Sequence, residues 1–101
     1  METGIGHVIH YFGHINVAVL SLNRVLKIND IVRILGHNTD LVQKVWSMEI
    51  DHQKVQEVRP GTDVAIKVAE PVHKGDQVYL VVDMTLEESQ NLIMDRLGEE
   101  M

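Results

Sequence analysis

Residues Pro60 to Leu80 read PGTDVAIKVAEPVHKGDQVYL, and this stretch decides the fold. Val64, Ile66 and Val68 alternate with Ala65, Lys67 and Ala69, the period of a strand with one buried face. Gly61 supplies a turn before that strand. Pro71 cannot donate to a ladder and ends it. Lys74-Gly75-Asp76 is a second turn, and Val78, Leu80 and Val82 form the inner face of the strand that follows.

The same grammar extends toward the N-terminus. Ile5, His7, Ile9 and Tyr11 lie on one face of a first strand, with Val8 and Phe12 on the other. Gly13-His14-Ile15-Asn16 bends the chain into the apolar run Val17 to Leu20, which gives a β-hairpin. Asn23 to Asn29 is a connection carrying Leu26 and Ile28. Asp30 to Leu35 is a further strand, and Gly36 to Asp40 a polar loop. Leu41 to Ile50 is one long strand, with Val42, Trp46, Met48 and Ile50 in one phase. Val45 is out of phase, as at a β-bulge. Trp46 is expected in the core; an exposed Trp46 would mark a stacking or partner platform.

Six strands in residues 1–82, with turns at short intervals, predict an all-β fold: a six-stranded antiparallel closed β-barrel, residues 1–83. Closure would remove sheet edges that invite aggregation. Residues 84–101 form a second unit, an acidic α-helix and tail. Thr85-Leu86-Glu87-Glu88 fits a capping box, Leu86, Ile93 and Leu97 share a helical face, and Gly98 ends it.

Charge narrows the function. Residues 83–101 carry a net −5 and residues 1–82 a net −1. Neither is the basic footprint of a protein that binds phosphate backbones by counterion release, so net charge does not support tRNA or another RNA end as a partner. There is no cysteine, which removes disulfides and thiolate metal sites and accords with a reducing cytoplasm. No apolar run reaches the length of a membrane span, and the N-terminus lacks the pattern of a signal peptide.

Catalytic and metal constellations are weak. His7, His10 and His14 cluster near the start, but in a strand His10 and His14 stand about 13 Å apart unless Gly13 turns the chain. A metal needs three or four ligands converging at about 2 Å, so surface histidines are the simpler reading. Asp51 and His52 are a carboxylate and a base, yet neighbours on a strand face opposite sides. Ser21, Ser47 and Ser89 are the only serines, and none sits in a Gly-x-Ser-x-Gly elbow. No catalytic residue, cofactor or metal is assigned. Lys27, Arg33, Lys44, Lys54, Arg59, Lys67 and Lys74 read as solvated strand positions.

The ordered set Gly6-His7-Val8, Leu26-Lys27-Ile28-Asn29-Asp30-Ile31-Val32, Val45-Trp46-Ser47-Met48, Val58 to Ile66 and Lys74-Gly75-Asp76-Gln77-Val78 resembles the second, β-barrel domain of translational GTPases such as elongation factor Tu. Asn29, Val58 and Ala65 depart from that pattern. Short stand-alone translation-factor-like proteins resemble it most. His52 to Tyr79 also resembles the barrel at the C-terminus of peptidase-like RNA-modification proteins of the collagenase-related family. No phosphate-binding Gly-x-x-x-x-Gly-Lys loop is present. The resemblance implies a non-enzymatic, cytoplasmic binding module, an adaptor for a protein, a ribonucleoprotein or an RNA end. The alternative is a structural or oligomerisation subunit, docking on itself or on an enzyme through the Leu86, Ile93, Leu97 stripe.

Overall fold

A computed structural model describes residues 1–82. They form ten strands: β1 (Glu2–Phe12), β2 (Val17–Leu22), β3 (Leu26–Lys27), β4 (Ile31–Gly36), β5 (Thr39–Lys44), β6 (Met48–Ile50), β7 (Gln53–Lys54), β8 (Glu57–Val58), β9 (Val64–Lys67) and β10 (Gln77–Val81). Eight build one antiparallel sheet in the order β5-β4-β10-β1-β2-β9-β6-β7, and β3 pairs with β8 in a small second sheet.

Two turns of one design launch the central strands. In Lys27-Ile28-Asn29-Asp30 the Asp30 N–H donates to Lys27 O (3.1 Å), and Asp30 Oδ2 accepts from the Lys27 N–H (2.9 Å). In His73-Lys74-Gly75-Asp76 the Asp76 N–H donates to His73 O (3.0 Å), and Asp76 Oδ2 accepts from the His73 N–H (2.8 Å). The third residue has positive φ in both, 79° at Asn29 and 93° at Gly75, as a type II turn requires. Asparagine tolerates that region better than most side chains, which is why Asn29 serves where a glycine is usual. The first turn leads into β4 and the second into β10, and these strands pair with Val78 opposite Ile34 and Leu80 opposite Val32.

The core lies on the inner face of the curled sheet. Val64, Ile66, Val68 and Val78 are buried, as their alternation predicts, together with Ile5, Val8, Leu20, Leu26, Val32, Ile34, Val45 and Met48. β1 changes phase twice to serve it, with register shifts between Gly4 and Gly6 against β10 and between Val8 and His10 against β2. Thus His7 faces outward while Ile5 and Val8 both face in. A Cβ at Gly6 would stand 1.9 Å from Ser21 O, so the β1–β2 approach excludes any side chain there.

The sheet is not a closed six-stranded barrel. β5 and β7 end it, and no ladder joins them. The expected strand Leu41 to Ile50 is two strands, β5 and β6. Val45 still stands opposite Asp30 in the β4–β5 register, its N–H donating to Asp30 O and its carbonyl accepting from the Asn29 N–H, both at 2.8 Å, and the chain leaves the strand after it. The phase slip therefore falls after Val45: Leu41, Gln43 and Val45 share one buried alternation, and Met48 starts the next. Trp46, next after Val45, lies on the outer side of the β5 alternation, 48% exposed instead of in the core. A side chain bridges part of the seam. Gln43 Nε2 donates to Lys67 O (2.9 Å), and Gln43 Oε1 accepts from the Ala69 N–H (2.8 Å). The connection Asn23 to Asn29 contains β3. The helix expected from Thr85 to Leu97, and with it the unit 84–101, lies outside the described residues.

Two side-chain contacts tie the sheet's β5 end. Asp76 is buried against Gly36, where a Cβ would meet Asp76 Oδ1 at 1.9 Å. Arg33 grips Asp40 through Nε and Nη2 (2.8 and 2.7 Å) and reaches Glu2 through Nη1 (3.1 Å), joining β4, β5 and β1. The Arg33 hydrogen bond, with desolvation opposing it and the Arg33 charge adding to it, holds the Asp40 carboxyl below its usual 3.8.

Two outcomes are expected. Gly36→Ala displaces Asp76 from its turn and lowers unfolding free energy by about 2 kcal/mol or more, read from urea midpoints. A depressed carboxyl binds fewer protons folded than unfolded, so the Asp40 contribution is present above pH 3.8 and fades as pH falls below it. Asp40→Asn therefore flattens the acid limb of a stability–pH curve, whereas an unchanged limb would deny the Arg33–Asp40 pair that role.

Candidate binding groove

The outer face of β2, β9 and β6 carries a groove of about 480 Å³. Its floor follows from register. Val19 stands opposite Ala65, and Ala65 opposite Glu49; Val17 stands opposite Lys67. One row therefore runs apolar to acidic across three strands. Phe12, which pairs with Val17, and Ile15 at the hairpin tip form one wall. Ser47, Asp51 and His52 stand at the other side, and Asp63 precedes β9.

The hairpin tip is built rather than loose. Ile15 N–H donates to Phe12 O (3.3 Å), Asn16 has a positive φ of 54°, and Asn16 O accepts from the Val68 N–H (2.9 Å). That last bond fastens the tip to the end of β9. The Phe12 ring lies 4.2 Å from the His10 ring, centroid to centroid. Phe12 and Ile15 are nevertheless 46% and 59% exposed, two large apolar side chains held out at a turn where polar residues are the rule.

The opposite side is strained. Ile50 pairs with Gln53, so Asp51 and His52 alone make the hairpin turn, both at positive φ (50° and 66°). That is the type I′ arrangement, which Asn-Gly makes at least cost. Asp51 and His52 are thus brought to the groove, but as turn residues rather than on opposed strand faces.

The other sequence candidates are scattered. His7, His10 and His14 are exposed, and the His10 ring meets Phe12 at a tilt of 54°. Among the described residues no group of three or more metal-ligating side chains comes together. Thr39 Oγ1 lies 2.8 Å from His73 Nδ1, and Asp76 Oδ2 approaches the same nitrogen at 3.7 Å. Both partners sit on one ring nitrogen, so the three do not form a relay of nucleophile, base and orienting acid. Arg33 is committed to its ion pairs. Among the described residues, Lys67 is the one lysine or arginine lining the groove.

Phe12 and Ile15 escape the sequence reading as a site because Phe12 reads as one face of a regular strand and Ile15 as part of a bend. Their presence at a turn was the available signal.

Comparison with known proteins places this fold. No family model matches the chain. A protein of Methanocaldococcus jannaschii, named as an uncharacterised protease, is 37% identical over 78 residues, which is 76% of this chain. The chain spans only 19% of that relative's length. The crystal structure of the C-terminal domain of a Geobacillus thermoleovorans protein described as a U32 peptidase superposes with a TM-score of 0.72 at 18% identity, covering 76% of this chain and 90% of that one. The selenomethionine form of the same domain gives 0.70 at 18% identity, covering 74% and 95%. The fold is that of this C-terminal β-domain. The kinship with the second domain of elongation factor Tu, and the translation-factor theme drawn from it, are thereby corrected. The expectation of a non-enzymatic protein is corrected too, since the curated relative is named as a protease and the structural neighbour is a domain of a protein described as a peptidase. Of the two resemblances, the one seen over His52 to Tyr79 pointed toward these proteins.

His52→Gly should relieve the turn and raise stability by about 0.5–1 kcal/mol in urea unfolding. A loss of stability would mean that His52 makes contacts worth more than its backbone strain.

Proposed function

We propose that this chain is a recognition domain, which holds a protein partner or substrate in the groove between the β1–β2 hairpin tip and the β6–β7 turn for a catalytic unit of the peptidase kind. The observation that carries this reading is the pair Phe12 and Ile15, exposed on a hairpin that Asn16 and Val68 hold rigid. Exposed apolar side chains beside a preformed groove are the usual anchor of a binding surface. The similarity to a peptidase's C-terminal domain supports an accessory role beside a larger body. Among the described residues no helix is long and apolar enough to cross a membrane. The lack of cysteine accords with a reducing setting, and the cytoplasm is the compartment this reading assigns.

Affinity capture with the full chain and with Phe12→Ser/Ile15→Ser tests it. Both side chains are largely solvent-exposed, so the double variant should stay folded by circular dichroism. A partner identified by mass spectrometry, and rebinding as a purified protein, should be lost with the variant by at least about tenfold in affinity. Equal retention by both forms would remove the groove from recognition.

A further inference from the structure

Resting on the recognition-domain reading, we infer that the groove takes an extended peptide segment in which a large apolar side chain is followed at close range by lysine or arginine. The argument is charge and spacing. One wall is apolar: Phe12, Ile15, Val17 and Val19. Facing it are three carboxylates, Glu49, Asp51 and Asp63, against one ammonium, Lys67, so the lining carries a formal −2 with His52 neutral. Among the described residues none of the three carboxylates has an ion-pair or side-chain hydrogen-bond partner, although Lys54 stands opposite Glu49 in the β6–β7 register. Their charge is therefore available to an incoming cation.

Register sets the distance between the two features. β2 and β6 are separated by β9 alone, so the apolar wall and Glu49 lie two strand spacings apart, about 10 Å. An extended peptide advances about 3.3 Å per residue, and side chains two or four apart share a face. An anchor in the Phe12–Val17 corner thus places a residue two to four positions away against Glu49, Asp51 and Asp63. A basic side chain there meets opposite charge, and its aliphatic stem covers Ala65. An acidic residue or a nucleic-acid phosphate meets like charge at the same place.

The experiment uses three labelled peptides in a glycine–serine background. One carries phenylalanine with lysine two and arginine four positions on. The second has glutamate at both basic positions. The third has serine for phenylalanine. Binding is read by fluorescence anisotropy at low and raised salt, with a single-stranded oligoribonucleotide as competitor. The first peptide should bind at least about tenfold more tightly than the others and weaken with salt. Glu49→Gln/Asp51→Asn/Asp63→Asn should erase the preference over the glutamate peptide while leaving the fold unchanged by circular dichroism. Equal binding of the basic and acidic peptides, no binding by any, or displacement by the RNA would overturn the inference. A partner that needs Phe12 and Ile15 yet binds through a neutral or acidic segment would overturn it while leaving the recognition domain standing.

Discussion

Two aspartates hold the sheet in register. Asp30 and Asp76 each fold a carboxylate back onto the N–H three residues earlier, closing the turns that start β4 and β10. A charged acceptor on a backbone donor is among the stronger hydrogen bonds available to a turn. The consequence is long-range. With both turns fixed, Val32 and Val78 enter adjacent antiparallel strands with their side chains on the inner face. A slip of one residue in either strand would send its whole aliphatic set to solvent. Asp76 adds a second constraint, because its carboxylate fills the space beside Gly36 at the end of β4. One side chain thus sets both the start of β10 and where β4 may run.

That constraint explains what could be read in advance. The alternation Val64, Ile66, Val68 and the turns at Gly61 and Gly75 were legible because each residue's local preference agrees with its place in the sheet. The wrong kinship arose from the same features. A Gly-Asp or Asn-Asp turn followed by alternating aliphatics is what any strongly curled antiparallel sheet needs at that point. It reports turn chemistry before it reports ancestry.

That the sheet stays open was not legible, because it turns on where one strand stops. Nothing in Leu41-Val42-Gln43-Lys44-Val45-Trp46-Ser47 shows that the chain will leave the strand after Val45, which still pairs with Asn29 and Asp30. Once it does, the chain between β5 and β6 no longer offers a continuous ladder. Gln43 then spans the seam with one amide, donating to Lys67 O and accepting from the Ala69 N–H. The amide imitates a peptide unit and satisfies two backbone groups that a neighbouring strand would otherwise serve. The break also misleads about Trp46: counted back from Met48 it falls inside, but it follows Val45 in the β5 alternation and faces out.

The groove was hidden for a related reason. Its residues come from the hairpin tip, the end of β6 and the approach to β9, and only the strand order brings them to one face. Their energetics fit a surface prepared for a ligand better than a surface left over. Phe12 and Ile15 sit on a tip fixed at both sides, by the Ile15–Phe12 bond within it and the Val68–Asn16 bond to β9. Little backbone freedom is left to lose on binding, and burial of the apolar side chains then adds to affinity with less entropic opposition. The turn across from them spends stability on two non-glycine residues at positive φ, Asp51 and His52, where Asn-Gly would cost less. Under the proposed recognition role, a strained turn at the groove's edge and an apolar wall facing it act toward one end: both hold side chains in place before a partner arrives.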